Sequence, residues 1–260
     1  MKVPFFNYSK LYQDDSKILD PVIKDCLKRG AFIMQSDLSS FENELANYLN
    51  VKHVIGVADG TMAILLGLKA MDLAKGGEVI LPSHTFVATA AAVKHAGLKP
   101  VLADCKEDHL IDHNDIEHRI TEKTVAIMPV QLNGRTCEMD KIQELADKHD
   151  LKIVEDSCQA LGSKFKNQYA GTFGSFGALS FYPSKTLGCF GDGGAIITSD
   201  TELFSNIVQL RDHGRGPNGL VMKWGFNSRL DNLQAAILKA KFSNYDLIIE
   251  KRRSLAKLYI

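Results

Sequence analysis

Residues 180–188 read Ser-Phe-Tyr-Pro-Ser-Lys-Thr-Leu-Gly, a run that delivers one lysine, Lys185, into a turn. A β-like stretch leads in, Pro183 ends it, and glycines follow at positions 188, 191, 193 and 194. Glycine accepts backbone dihedral angles that other residues resist, so this loop lets the backbone approach a bound group closely. A lysine in a partly apolar turn has its charged form disfavoured, which makes the amine nucleophilic. Two interpretations stay open here: a Schiff-base lysine for pyridoxal 5'-phosphate (PLP), or a solvated surface lysine.

The composition is that of an ordinary globular protein. Of the 260 residues, 45% are hydrophobic and 24% are charged, and 31 Lys and Arg balance 31 Asp and Glu. The chain can bury one large core, and its balanced charge favours neither nucleic acid nor a membrane surface as a partner. It contains no bilayer-length apolar run, no signal-peptide core and no Cys-x-x-Cys spacing among its five cysteines. We therefore expect a cytoplasmic protein with reduced thiols.

Strand-like and helix-like segments alternate through the first 160 residues. The predicted strands cover residues 53–57, 78–81, 100–103, 125–129 and 151–154, and the predicted helices start after Ser36 and Thr61 and cover 87–95 and 139–148. This alternation predicts parallel strands joined by right-handed crossovers. Because the strands are apolar throughout, we expect helices on both faces of the sheet. The predicted fold is α/β, with a mostly parallel central sheet in a three-layer α/β/α arrangement.

The remaining segments are less regular. The first forty residues read as short, mixed elements with few strand signals. After Lys185 the pattern predicts a strand at 194–198, a helix at 201–211 and one long helix from Leu230 towards the end of the chain.

The segment Asp59-Gly60-Thr61 stands where a predicted strand gives way to a helix. Free backbone N–H groups and the helix dipole make such a corner an anion site, and the Thr61 hydroxyl adds a donor. The alternative is a plain helix cap made by Asp59. The chain has neither a GxGxxG after a strand nor a GxxxxGK[ST] run, so dinucleotide and Walker-type phosphate sites are poorly supported.

Asp156 closes the predicted strand at 151–154, and Gln159 follows three residues later. A carboxylate there could keep a pyridinium nitrogen protonated, which makes the ring an electron sink. The alternative is a strand-end residue that caps a short helical turn.

Other candidates also follow predicted strands, where ligands of parallel sheets bind. Phe86 could stack on a flat cofactor, with core packing as the alternative; His84 could equally be a surface imidazole. Ser180 could donate to a phosphate or simply end a strand, and Asn227 could be a helix cap. Residues 104–124 hold several histidines and acids, but mixed polar loops are usually solvated, so we expect no metal site.

Taken together, these motifs resemble the DegT/StrS family of nucleotide-sugar aminotransferases, which are fold-type I PLP enzymes. The resemblance runs from about residue 30 to the end of the chain. The motifs that carry it are residues 56–61 (Gly-Val-Ala-Asp-Gly-Thr), 82–89 (Pro-Ser-His-Thr-Phe-Val-Ala-Thr), 154–160 (Val-Glu-Asp-Ser-Cys-Gln-Ala), 180–185, 191–194 (Gly-Asp-Gly-Gly) and 227–231 (Asn-Ser-Arg-Leu-Asp).

The resemblance implies a role for each candidate. Lys185 would form the Schiff base with PLP, Asp156 would pair with the pyridine nitrogen, and Gln159 would bond the ring hydroxyl. The phosphate would be held by Gly60, Thr61, Met62 and Ser180. Phe86 would stack on the ring, with His84 in reserve, and Asn227 would reach the cofactor phosphate of the partner subunit in a homodimer with shared sites.

The resemblance also implies a domain plan and a reaction. It predicts an N-terminal segment (1–30), a PLP-binding large domain (31–228) and, over 229–260, the start of a long helix leading to a C-terminal domain that lies outside this chain. The amine would pass from L-glutamate to a keto-sugar on a nucleoside diphosphate, giving an amino sugar for lipopolysaccharide, a glycan or a secondary metabolite. Family dehydratases carry histidine in place of Lys185, so the lysine favours transamination.

Alternatives remain at this stage. Another fold-type I PLP enzyme, such as a lyase, would share the lysine and the aspartate. A non-catalytic PLP-binding regulator, or an inactive fragment, would bind cofactor without turnover. The weak similarity of residues 82–85 and 187–194 to members that act on 3-keto sugars does not decide which carbon is aminated.

Overall fold

The computed structural model describes residues 3–259 and is built around a seven-stranded sheet. Its strands are β1 (His53–Val57), β2 (Glu78–Pro82), β3 (Lys99–Ala103), β4 (Thr124–Ile127), β5 (Lys152–Asp156), β8 (Phe176–Ser180) and β9 (Gly194–Thr198), and β6 (Lys164–Phe165) and β7 (Gln168–Tyr169) form a separate small ribbon. The helices are α1 (Tyr8–Arg29), α2 (Ser36–Leu49), α3 (Gly60–Ala70), α4 (Val87–His95), α5 (His113–Arg119), α6 (Met139–His149), α7 (Thr201–Arg211), α8 (Asn232–Phe242) and α9 (Tyr245–Ala256).

The directions of the strands decide which strand ends meet at each edge of the sheet. The order is β1-β9-β8-β5-β4-β2-β3, and the pairs β2–β3, β2–β4, β4–β5 and β5–β8 are parallel. β9 is antiparallel to both of its neighbours, β8 and β1, so it alone runs against the other six strands. The mostly parallel sheet predicted from sequence is confirmed. The carboxyl ends of six strands and the amino end of β9 therefore meet at one edge.

Alternating side chains fill a core on each face of the sheet. Val79 and Leu81 of β2 belong to a buried cluster with α3, α4 and α7, whereas Ile80 between them belongs to a cluster with α5 and α6 on the opposite face. A third cluster joins α2 and α8 to Ala195 and Ile197 of β9. This period of two is the geometry of a strand covered on both sides, and it gives the predicted three layers.

The N-terminal forty residues differ from the short, mixed elements expected. They form the 22-residue helix α1, which Asn7 caps by accepting from the Lys10 amide and which ends at Gly30 in the left-handed conformation (φ 62°). Only Leu19 and Cys26 of α1 are fully buried. A helix whose apolar face is this narrow carries a weak periodic signal, because its packing against α8 needs few apolar positions.

The single long helix expected from Leu230 is also wrong, since α8 and α9 are separate helices that break at Ser243 and Asn244. The break lets Tyr245 turn inward, where it is buried and its hydroxyl donates to the Leu161 carbonyl at 2.8 Å. Within residues 3–259, no helix combines the length and apolarity that crossing a membrane would need.

Helix α3 is buried nearly all round, as its apolar sequence predicts. It lies against β8 at Gly67, where an added Cβ would fall well inside van der Waals contact with the ring of Phe176. Phe176 is itself fully buried in the same cluster, so the ring has little freedom to move aside.

Replacing Gly67 by alanine should therefore destabilise the protein by about 1–3 kcal/mol through overpacking. The sign is diagnostic, because glycine to alanine inside a helix otherwise stabilises by about 1 kcal/mol. Urea unfolding of the Gly67→Ala protein measures the change. The double variant Gly67→Ala with Phe176→Leu is the control, and it should recover part of the stability lost by Gly67→Ala. A loss as large as that of Gly67→Ala alone, or as large as the sum of the two single-variant losses, would contradict this packing.

Candidate active site at the carboxyl edge of the sheet

The structure brings the corner after β1 against the ends of β5 and β8. A Cβ added to Gly60, the first residue of α3, would lie 2.8 Å from Cys158 Sγ and 2.9 Å from Ser180 Cβ. On the other side, Gly194 pairs with both Val57 and Ser180 and packs closely on the backbone of Asp59. Residues at or next to the ends of four different strands thus share one corner of the sheet edge.

The first turn of α3 is both capped and open to an anion. Asp59 Oδ1 accepts a hydrogen bond from the Met62 amide at 2.8 Å, and the Asp59 carbonyl accepts from the Ala63 amide. Within residues 3–259, the amides of Gly60 and Thr61 have no hydrogen-bond acceptor. These two N–H groups, the helix dipole and the Thr61 hydroxyl can hold a phosphate. The cap and the anion site that the sequence offered as alternatives are thus compatible, although the amide of Met62, another predicted phosphate ligand, is already used.

Asp156 is 6% exposed at the end of β5, with a hydrogen bond on each carboxylate oxygen. Oδ2 accepts from the Thr89 hydroxyl of α4 at 2.7 Å, and Oδ1 accepts from the Cys158 amide at 3.2 Å. The Thr85 hydroxyl lies 2.7 Å from that of Thr89. Because a carboxylate oxygen has two acceptor positions, each one can still take a further donor from a ligand.

Lys185 is half-buried in the turn after Pro183, and its backbone amide donates to the Tyr182 carbonyl at 2.8 Å. Its ammonium group is close enough to act on the Cys158 thiol. Burial raises the pKa of that thiol well above its usual value and the charge of Asp156 raises it further, whereas the positive charge of Lys185 opposes them. The amine and the carboxylate that the sequence singled out therefore both act on one thiol, which stays protonated.

The loop beyond Lys185 is tied to the rest of the chain. The Cys189 amide donates to the Phe181 carbonyl at 2.9 Å, and Lys241 Nζ of α8 donates to the Gly188 carbonyl at 2.6 Å. Gln234 of α8 bonds both backbone groups of Phe190, at 2.8 and 3.0 Å. The position of the lysine turn is thus set largely by α8.

The remaining predicted residues make fewer contacts. Gln159 Oε1 accepts from the Asn133 amide at 3.1 Å, so its amide nitrogen is the end available to a ligand. Phe86 is 67% exposed just before α4, the helix that carries Thr89. His84 is exposed and meets His109 edge to face, with ring centroids 5.3 Å apart.

Asn227 lies on a hairpin of residues 212–227, whose arms are bridged at Asp212–Asn227 and Arg215–Val221. The Asn227 side chain is exposed and makes no hydrogen bond to another of residues 3–259. Its neighbour Ser228 is buried and accepts from the Ala58 amide at 3.4 Å. The second arm of the hairpin therefore ends beside the corner after β1.

Glu155 was missed by the sequence reasoning, although it precedes Asp156. It is fully buried, and four donors surround its carboxylate: Gln131 Nε2 and the amides of Gly171, Phe173 and Gly174, at 2.7–3.2 Å. Burial raises the pKa of Glu155, whereas the donors oppose that rise. The four donors favour the ionised form of Glu155, because the proton of a neutral carboxyl group needs an acceptor and none of these four groups is one. Glu155 is then a buried anion that anchors the loop leading into β8.

The polar segment of residues 104–124 makes ion pairs instead of a metal centre. Lys106 and His113 both contact the Glu138 carboxylate, the latter at 3.2 Å. In the part of the chain that the structure describes, no group of three or more His, Cys, Asp or Glu residues is arranged to hold a metal ion.

Comparison with known proteins gives a consistent result. Residues 13–260 match the family model described as the DegT/DnrJ/EryC1/StrS aminotransferase family. The chain is 39% identical over 260 residues to dTDP-3-amino-3,4,6-trideoxy-alpha-D-glucose transaminase of Streptomyces venezuelae, covering 100% of this chain and 69% of that protein. It is 41% identical over 234 residues to UDP-N-acetyl-3-dehydro-alpha-D-glucosamine 3-aminotransferase of Acidithiobacillus ferrooxidans, covering 90% of this chain and 63% of that protein.

A solved structure shares the fold. The crystal structure of NtdA from Bacillus subtilis with bound cofactor PMP superposes with a TM-score of 0.88 at 37% identity, over 95% of this chain and 57% of that one. The chain therefore spans a little over half to about two thirds of the length of the proteins it resembles.

The charge of Asp59 beside the free amides of α3 gives a prediction for ligand affinity. Asp59→Asn keeps an oxygen that accepts from the Met62 amide but removes a negative charge beside the anion site. We expect PLP to bind about fivefold more tightly, which corresponds to ~1 kcal/mol of repulsion removed at the protein surface. Titration of PLP followed by absorbance measures the dissociation constant.

Two controls isolate the charge effect. Asp200 caps α7 in the same way, through the amides of Glu202 and Leu203 at 2.8 and 3.0 Å, but it follows the far end of β9. Asp200→Asn should leave PLP affinity unchanged. Pyridoxal, which lacks the phosphate, should bind both Asp59 forms equally, and an equal gain with pyridoxal would show that phosphate repulsion is not the cause.

Proposed function

Because this chain belongs to the DegT/DnrJ/EryC1/StrS aminotransferase family, we propose that it is the cofactor-binding part of a transaminase that moves an amino group from L-glutamate to a keto-sugar on a nucleoside diphosphate, using PLP. The product is an amino sugar for lipopolysaccharide, a glycan or a secondary metabolite. The observation that carries the proposal is the convergence of Lys185, Asp156 and the first turn of α3 around Cys158.

The residues at this corner fit PLP group by group. The free amides of Gly60 and Thr61 suit its phosphate, with the hydroxyls of Thr61 and Ser180 as further donors. Asp156 offers acceptor positions to a protonated ring nitrogen, and Gln159 has an amide group free for the ring hydroxyl. The likeness to a structure that holds the cofactor PMP supports the same choice.

Each side chain then has a chemical task. PLP supplies an aldehyde that condenses with amines and a ring that withdraws electrons from the neighbouring carbon. Lys185 Nζ would hold the cofactor through its aldehyde and, when free, would act as the base and acid that moves a proton at the substrate carbon. Asp156 keeps the ring nitrogen protonated, so the withdrawal is strongest when the proton leaves. Phe86 would stack on the ring, with His84 in reserve.

For the acceptor we propose a 3-keto sugar. The names of both relatives place the nitrogen at carbon 3, on a dTDP-linked and a UDP-linked sugar respectively. The segments at 82–85 and 187–194 support the same choice. We also propose that residues 31–228 hold the cofactor and that 229–260 lead towards a region that completes the sugar site.

The proposal includes a homodimer. The hairpin at 212–227 projects large apolar side chains, and Trp224 on its second arm is 96% exposed. Exposed apolar groups of this size mark interaction surfaces. A second copy covering the hairpin would let Asn227 reach the cofactor phosphate of the partner. The five cysteines are all free, which supports a cytoplasmic location.

The role of Lys185 predicts a spectroscopic result. The purified protein with PLP should show a visible absorption band that resists dialysis, and Lys185→Ala should lose it because the amine proposed to link the aldehyde is removed. Lys52→Ala, an exposed lysine just before the amino end of β1, is the matched control and should keep the band. A band that persists in Lys185→Ala would refute the assignment.

Substrate tests separate the proposed reaction from its alternatives. Adding glutamate should convert the visible band and release one equivalent of 2-oxoglutarate, whereas a PLP-binding regulator would leave both unchanged. Once glutamate has converted the cofactor to its amine form, a 3-keto nucleotide sugar should restore the visible band faster than its 4-keto isomer does. Preference for the 4-keto isomer would overturn the choice of carbon 3.

A further inference from the structure

Thr89 is a polar side chain with no role yet in the proposed reaction. It lies in the first turn of α4, its exposed fraction is 0%, and its hydroxyl donates to Asp156 Oδ2 at 2.7 Å across 67 residues of sequence. A hydroxyl buried this completely has to be satisfied inside the protein. Here its partner is the carboxylate proposed to act on the ring nitrogen.

The hydrogen bonds have a definite direction. Asp156 is an acceptor when it is ionised, so the single hydroxyl hydrogen of Thr89 points to Oδ2. Thr89 then has no hydrogen left for Thr85, whose hydroxyl lies 2.7 Å away, and Thr85 must donate to Thr89. The result is a chain of two hydroxyls that ends on the carboxylate, and each link polarises the next.

The second anchor of Asp156 is on its other oxygen. The Cys158 amide donates to Oδ1 at 3.2 Å, so the two anchors come from different elements: α4 and the loop after β5. One hydrogen bond leaves a carboxylate free to rotate about its terminal bond. Two bonds, one on each oxygen, fix its plane.

We propose that Thr89, backed by Thr85, is a positioning residue that fixes the plane of the Asp156 carboxylate towards the ring nitrogen of the cofactor. The inference rests on the proposed function, since it concerns how Asp156 meets that ring. A carboxylate held in plane needs no reorganisation when charge develops on the ring, which is how preorganised groups lower a barrier. Without the hydroxyl, Asp156 turns about its single remaining anchor and holds the ring nitrogen proton less firmly.

Titratable groups from three neighbouring segments act at Cys158, beside Asp156. Cys158 follows it on the same loop, Lys185 lies on the loop after β8, and Asp59 precedes α3. Glu155 points to the opposite face of β5 and is enclosed by its own four donors. The Cys158 thiol stays protonated because burial raises its pKa. Removal of an uncharged hydroxyl therefore changes the orientation of Asp156 without changing the charge of the site.

The test compares Thr89→Val, which keeps the shape and removes the hydroxyl, with Thr89→Ser, which restores it, in the PLP-loaded protein. The first readout is the pH midpoint at which the visible band changes. We expect Thr89→Val to raise it by about half a unit, because a ring that is less firmly protonated withdraws less charge from the linked Lys185 nitrogen, which then holds its proton more tightly. The second is the rate of the glutamate half-reaction, which should fall roughly tenfold to a hundredfold, the loss typical of a hydrogen bond to a charged group.

Thr198→Val is the matched control, because Thr198 is also buried, with its hydroxyl donating to the Ser175 carbonyl at 2.8 Å at the far end of β9. It should leave the midpoint and the rate unchanged, and Thr89→Ser should recover both. A Thr89→Val protein with the wild-type midpoint and rate would overturn the inference. So would a Thr89→Ser protein as impaired as Thr89→Val, which would show that the side chain acts through packing.

A further variant decides the case if Thr89→Val does not fold. Thr85→Val leaves the Thr89–Asp156 bond in place and removes only the outer donor, so it should change the midpoint in the same direction and slow the half-reaction a few-fold. Wild-type behaviour of Thr85→Val would then overturn the two-hydroxyl chain. A wild-type protein that shows no visible band at all would instead refute the proposed function, and the two failures are therefore distinguishable.

Discussion

The first turn of α3 reaches the end of β8 only because residue 60 has no side chain. A single carbon added to Gly60 would lie within 3 Å of both Cys158 and Ser180, a separation that non-bonded carbon and sulfur atoms do not tolerate. Gly194 permits the same close approach on the other side, against the backbone of Asp59. These two contacts draw the free amides of α3 to the corner that also holds Asp156. The helix end becomes part of a site, where otherwise it would be only the start of a connecting helix.

Two adjacent acids at the end of β5 show how the strand divides structure from chemistry. Because side chains alternate along a strand, Glu155 and Asp156 point to opposite faces. Glu155 is enclosed by four donors and anchors the loop that leads into β8. Among the described residues, Asp156 accepts two hydrogen bonds, and it keeps capacity for a ligand. The buried anion therefore fixes the backbone from which the second acid is presented.

The lysine turn depends on a part of the chain that lies well beyond it. Helix α8 holds the loop after Lys185 through Lys241 at Gly188 and through Gln234 at Phe190. Asn232 at the start of α8 also bonds the Leu38 amide and the Ala31 carbonyl, which ties the entry of α2 to the same helix. Residues after 229 consequently support the site directly, besides leading onward in the chain.

The sequence by itself determined most of the strands and helices between residues 36 and 211, the three-layer fold and the two leading candidates, Lys185 and Asp156. Apolar periodicity and glycine spacing are local properties, so they can be read without knowing which segments become neighbours. Only the tertiary structure decided that β9 runs against the other strands, that α1 is one continuous helix with a narrow buried face, and that the chain breaks between α8 and α9. The same holds for the Thr89–Asp156 hydrogen bond and the enclosure of Glu155, which join residues far apart in sequence. Such contacts depend on which strands and helices pack together to bury the most apolar surface, and that is a property of the whole chain.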